Sequence, residues 1–199
     1  MRLLKENFYD IVRLYVNQIG IMIFSTFLYT AVGFVEEEPL GTNLVTAVSV
    51  FAILFYFVLI YYVVWEQGAK DKIRIDGGRY DAPRAKGFLL GVFANVPNFV
   101  LAGFTFLFLI IYNAGQTGVA DVLGVFDMIM RFHGSMYMGL IRGITPSEIV
   151  EGGINVADCM VETALFIVLP MISTAISHLA YSLGRRDKKL FGSSKSTKG

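Results

Sequence analysis

The residues of this chain that are able to do chemistry are few, and they sit where polar groups are costly. Asn95 and Asn98 flank Pro97 in the middle of a long apolar run, and Glu162 lies just before another. A polar side chain inside hydrocarbon is expensive, so it marks a polar path, a proton or cation site, or a bond between helices. Pro97 has no amide hydrogen, which predicts a kink with the carbonyl of Phe93 freed beside the two amides. A broken helix of this kind can coordinate ions or small polar solutes. The same amides can instead hydrogen-bond a neighbouring helix and hold the kink. Asn95, Pro97, Asn98 and Glu162 are the candidate polar path.

Glu162, one helical turn after Asp158, needs a cation or must take up a proton. Arg131 and Arg142 are the candidate cations on its side of the chain, and pairing with one of them would pin that segment to the last apolar run. Asp158, Glu162, Arg131 and Arg142 are thus the candidate ion-pair set. Gly87 and Gly91 form a GxxxG pair that lets helix backbones approach closely, and Ser173 and Ser177 extend a small-residue face. These four are the candidate packing residues.

Catalytic motifs are missing from the sequence. There is no HExxH, GxSxG or Gly-rich phosphate loop. Ser173, Ser177 and His178 follow one another on a single helix, a spacing that does not by itself build a triad. An intramembrane lipid-modifying enzyme would have only Asp158 and Glu162 to work with, and a non-enzymatic role is expected. His133, His178 and Cys159 lie apart, so no metal site and no cofactor are expected. Asp71, Asp76 and Asp81 recur every five residues, which fits no EF-hand. The single cysteine excludes an intrachain disulfide framework.

The elements that position these groups follow from composition. Of 199 residues, 55% are hydrophobic and 17% charged, with a mean hydropathy of +0.59, whereas soluble domains carry about 25% charge. Residues 14–35, 39–65, 87–116 and 163–184 are free of charge. Each run holds the ~20 residues, or ~30 Å of helix, that a bilayer crossing needs. None alternates as a barrel strand must. The sequence therefore predicts an all-α, polytopic integral membrane protein. Its four transmembrane helices fall at about 14–35, 43–65, 87–112 and 156–183, within one domain over 1–184. A soluble globular enzyme, a secreted disulfide scaffold and a disordered chain are excluded.

Every Lys and Arg except Arg131 and Arg142 falls before the first run, in loop 66–86 or after the last run. The positive-inside bias then places both termini in the cytoplasm, with the plasma membrane the expected location. The first run is too long for a cleaved signal peptide and reads as an uncleaved anchor. Ahead of it, Leu4, Phe8, Ile11, Val12 and Tyr15 share one face, which predicts an amphipathic lead-in that lies on the membrane surface or extends the first span.

Residues 120–143 are also amphipathic. Asp121, Asp127, Arg131, Ser135 and Arg142 oppose Val122, Phe126, Ile129, His133, Met136, Tyr137 and Leu140. An external helix lying on or dipping into the outer leaflet is expected, since a fifth span would invert the charge bias. Thr145, Pro146 and Glu148 predict a short helix start, and Asn155 a cap for the last span. Residues 73–80 resemble a small hairpin, and the basic tail 185–199 is expected to be disordered.

Four helices leave little room for an aqueous path inside one chain. The expected function is a component of an ion or small-solute transport or channel system acting as an oligomer, with GxxxG and the Ser/Thr faces between subunits. The alternative is a non-catalytic accessory or scaffold subunit of a larger membrane complex. Expected partners are the lipid bilayer, a homo-oligomer or another membrane protein, and anionic headgroups at the basic loop. Nucleic acid is not expected, because the basic residues follow the topology rule.

Overall fold

The computed structural model describes residues 2–32, 40–78, 81, 83, 85–145 and 156–188. Among these, the regular elements are helices: α1 (Arg2–Val32), α2 (Leu40–Asp76), α3 (Lys86–Ala94), α4 (Val96–Asn113), α5 (Ala120–His133), α6 (Ser135–Ile144) and α7 (Val156–Arg185), with a 3-10 turn at Thr117–Val119. Four helices are long and apolar enough to cross a membrane: α1, α2, α4 and α7. Large apolar side chains such as Phe27, Phe51, Leu54, Leu107, Met171 and Leu179 are exposed on the outside of the bundle. An apolar shell this extensive is what a lipid-facing surface requires and a water-facing one avoids.

The centre of the bundle is α7. It packs along α2, α3 and α4, and α1 closes the far side of α2 and α3. Backbones come close where side chains are smallest. A Cβ added to Gly91 would lie 2.8 Å from the Thr174 Cα and 3.0 Å from the Ser177 Cβ, and one on Gly68 would overlap the α7 backbone at Tyr181. Gly87 and Gly91 therefore seat α3 on α7 of the same chain, not on a second subunit as the sequence suggested. Gly68 and Gly184 do the same where α2 crosses α7.

Several boundaries differ from the sequence expectation. α1 runs unbroken from Arg2, so the amphipathic lead-in is the first part of the span helix. α2 continues past Trp65 to Asp76, so residues 73–76 of the expected hairpin are its last turn, followed by Gly77 and Gly78, the latter with φ +66°; residues 79 and 80 lie outside the described residues. The third span is two helices that break at Asn95, two residues before Pro97. Proline is well tolerated in the first turn of a helix, where no amide hydrogen is needed, and breaking before it relieves the clash with the carbonyl of Phe93.

The largest correction concerns residues 120–143. The single surface helix is replaced by α5 and α6, which meet at Gly134. α5 runs back along α4: Phe126 packs on Phe104 and Phe108, and Met130 and His133 reach Asn98 and Leu101. α6 then climbs between α1 and α2. Ser135 donates to the Met22 carbonyl at 2.9 Å, Gly139 meets Ser49, and Arg142 lies over the Tyr29 ring. Residues 133–139 are all buried. The amphipathic pattern that suggested a water-facing helix arises because Asp127, Arg131 and Ser135 find polar partners on α5, α7 and α1.

Glycine makes this turn possible. A Cβ on Gly134 would press on the Phe166 ring, and one on Gly139 would overlap Val45 and Ser49 of α2. With its backbone bare, Gly139 donates its amide to Ser49 Oγ at 2.8 Å and accepts from Thr46 Oγ1 at 3.1 Å. Polar residues substitute here for the hydrophobic force that is missing between helices in lipid. The sequence expectations at Pro146, Glu148 and Asn155, and for the tail beyond Lys188, lie outside the described residues.

Candidate functional site: a polar line along the central helix

One face of α7 is buried from end to end: Glu162, Phe166, Pro170, Ser173, Ser177 and Tyr181 follow at intervals of three or four residues. That is the repeat that keeps side chains on one side of a helix. From Glu162 to Tyr181 the helix rises about 28 Å at ~1.5 Å per residue, close to the thickness of a hydrocarbon core. Each polar member of the face meets a polar group from another helix.

At the end remote from the basic residues, Arg131 of α5 grips Glu162 with both terminal nitrogens, Nη1 to Oε1 at 2.6 Å and Nη2 to Oε2 at 2.7 Å. Its Nε donates to Asp127 Oδ2 at 2.6 Å. The bidentate fork fixes the guanidinium geometry and is the strong form of such a pair. Of the two arginines considered, Arg131 makes this contact, while Arg142 caps the Tyr29 ring. Asp158 and Cys159 stand one turn away in the first turns of α7, both half-buried.

Midway, Asn95 takes over. Its Nδ2 donates to the Gly91 carbonyl at 2.8 Å and to Ser173 Oγ at 2.9 Å, and its Oδ1 accepts from Asn98 Nδ2 at 2.9 Å. Ser173 Oγ donates to the Pro170 carbonyl at 2.7 Å and is hydrogen-bonded with Tyr56 of α2. Asn95 thus ties the α3–α4 break to α7. The two amides are hydrogen-bonded to each other, and Asn98 also lines a small cavity with Met130, His133 and Tyr137. Pro97 shapes the break and has no polar role.

One turn further, Ser177 Oγ donates to the Gly87 carbonyl at 2.6 Å. At the basic end, Tyr181 donates to Asp71 Oδ2 at 2.7 Å, and Lys86 Nζ lies 2.6 Å from the same oxygen. Asp71 and Lys86 side chains are 1% and 3% exposed. Nearby, Gln67 donates to Asp10 and Arg13 to Glu66 at 3.3 Å. The sequence reading missed Asp71, Lys86 and Tyr181 because Lys86 and Asp71 were counted as loop charges. The available signal was a helical phase continuing past Trp65, which puts Gly68 and Asp71 on the side facing α7.

Comparison with known proteins gave no match, whether with family models, curated proteins or solved structures. Among the described residues no group of His, Cys, Asp and Glu is placed to hold a metal ion. Two of the packing residues, Ser173 and Ser177, are also members of the polar line, and Gly87 and Gly91 supply carbonyl acceptors to it.

The Arg131 pair gives a first prediction. Replacing Arg131 with leucine removes the cation that bridges two carboxylates, Asp127 and Glu162. The expected cost is about 1–3 kcal/mol, the range for hydrogen bonds to charged groups, read as a fall in melting temperature in detergent. Arg131→Leu combined with Glu162→Leu should recover much of it. Equal stability of Arg131→Leu and the native chain would show that the fork contributes nothing.

Proposed function

We propose that this chain is a component of an ion or small-solute transport system in the plasma membrane, with both termini in the cytoplasm and the path running along the buried face of α7. The observation that carries this is the length of the polar line. A structural hydrogen bond or two would suffice to hold a kink. Here Glu162, Ser173, Ser177 and Tyr181 each make a polar contact with another helix, in a region where each one is costly. The two helix breaks, at Asn95 and Gly134, both fall beside this line, as in transporters built from discontinuous helices. The basic end, carrying Lys70, Lys72, Arg74, Arg185 and Arg186, faces the cytoplasm by the charge bias.

The protein reconstituted into liposomes should pass protons or monovalent cations above the rate of empty vesicles. Ser177→Val, which removes the link to Gly87 and narrows the line, should lower that rate without unfolding the chain. Native mass spectrometry of gently extracted protein supplies the complementary result: a discrete homo-oligomer supports transport by this chain. No flux, together with stoichiometric recovery of a different membrane protein, would make it an accessory subunit instead.

A further inference from the structure

The polar line has one interruption, at the level of Phe166 and Pro170, where α7 offers no side-chain polar atom. The structure fills this level from the other helices. A cavity of about 10 Å³ lies there, lined by Asn98, Leu101, Met130, His133, Tyr137, Phe166 and Pro170. It sits at the turn between α5 and α6, where His133 closes one helix and Tyr137 lies in the first turn of the next. Two of its lining residues carry a buried polar atom without a hydrogen-bond partner, His133 Nε2 and Tyr137 Oη. His133 is 9% exposed and Tyr137 1%. Pro170 has no amide hydrogen, so the carbonyl of Phe166 also loses its helical donor at this level.

Unpaired buried polar atoms are rare, and two of them beside a void of this size are accounted for by a water between them. The void is about one water in size, and a water needs two to four polar partners. We infer that this cavity binds a single water joining His133 Nε2 to Tyr137 Oη, and that His133 is the proton-accepting residue of the path, so that the transported species is a proton. The inference rests on the transport function proposed above and adds the identity of the cargo. A cavity of this size admits no hydrated ion and no organic solute. It does allow a proton to hop. The bridging water, protonated to hydronium, gives its proton to Nε2 and is left as water beside an imidazolium. The imidazolium then releases its Nδ1 proton to a second water on the opposite edge of the ring, and the neutral ring turns over to bring an unprotonated nitrogen back to the entry side, so one proton enters on one side and one leaves on the other.

The titratable and charged groups around His133 are compatible with this. On α1 the Tyr15 ring lies 5.8 Å from the imidazole centroid. On α2 Tyr56 stands near Tyr137. On α5 and α7 the charges of Arg131, Asp127 and Glu162 are joined to each other. α4 contributes the neutral Asn98. These neighbours are neutral or paired with one another, so none of them holds the imidazole in one protonation state.

The test is proton uptake into proteoliposomes driven by a potassium gradient with valinomycin, read with an internal pH dye. It is run beside water-to-imidazole NMR transfer on protein labelled at histidine in a His178→Gln background. The native chain should take up protons, His133→Gln should lower the rate on the order of tenfold or more, and Tyr137→Phe, which removes only the hydroxyl, should lower it several-fold. His178→Gln should leave it unchanged, and the His133 ring should show magnetisation transfer from bound water. Native-like elution and helicity of both variants guard against misfolding. Flux of other cations untouched by His133→Gln would overturn the proton assignment and leave transport standing. No flux of any ion would remove both. A His133 ring without water contact would overturn the bridging water, and with it the inference.

Discussion

Replacing Lys86 with methionine is expected to destabilise the chain by about 3–5 kcal/mol, the cost of stranding one member of a buried ion pair. Asp71 would be left 1% exposed with the Tyr181 hydroxyl as its close donor and the more distant, exposed Arg74 at 3.9 Å from its other oxygen. The pair joins three helices at the basic end: α2 through Asp71, α3 through Lys86 and α7 through Tyr181. Its loss should therefore loosen the whole end, seen as a lower denaturation midpoint and faster proteolysis after residues 66–86. Replacing both partners, Asp71→Leu with Lys86→Met, should recover most of the loss, because two matched apolar groups need no desolvation. If the single variant were as stable as the native chain, Asp71 would have to find solvent, and the basic end would not be packed as described.

Gly139 carries the second large effect. Gly139→Leu places side-chain atoms where Val45 and Ser49 of α2 already sit, and it removes the close approach that lets Ser49 and Thr46 bond the Gly139 backbone. Overpacking of this kind costs about 1–3 kcal/mol, and more where backbone must move. Because α6 is hydrogen-bonded to α2 at this contact, the variant should loosen α6 from α2. Gly124→Leu is the control. Nothing lies within 4 Å of a Cβ at Gly124, so its effect should stay within about 0.5 kcal/mol. Thermal unfolding of the two variants in the same detergent checks the contrast, and equal effects would contradict the docking of α6.

What could be read in the sequence was what depends on averages over long windows. Four apolar runs of ~20 residues fix four helices able to span a membrane, whatever their neighbours do. The spacing of Gly87, Gly91, Ser173 and Ser177 marked them as packing residues, although their partner turned out to lie in the same chain. The contact of Glu162 with Arg131 was within reach of the sequence, because only two arginines were available near it. Residues 120–143 were harder. A polar stripe looks the same whether it meets water or meets Glu162, Met22 and Ser25 inside a bundle. Only the tertiary partners of Arg131 and Ser135 distinguish the two, and these are 31 and 113 residues away.

His133 and Tyr137 were assigned to the apolar face for the same reason. Their rings do pack apolar surface, and the unsatisfied atoms at their tips become visible only once the surrounding helices are in place. Asp71 and Lys86 illustrate the converse. Each belongs to a segment rich in charge, and a buried partner fifteen residues away leaves no local pattern.

The polar line lies inside the membrane only if the α5–α6 turn does, and spin-label depth along these two helices measures that directly. Val125, Met128 and Phe132 are exposed on α5, and Arg142 and Ile144 near the end of α6. Each is replaced in turn by cysteine in a Cys159→Ser background and labelled in liposomes. Accessibility to oxygen relative to a water-soluble nickel complex should rise from position 125 through 128 to 132, then fall again at 142 and 144. That profile places the Gly134 turn at the deepest point. A flat, shallow profile across all five positions would put both helices on the surface, and the buried path along α7 would lose its central segment.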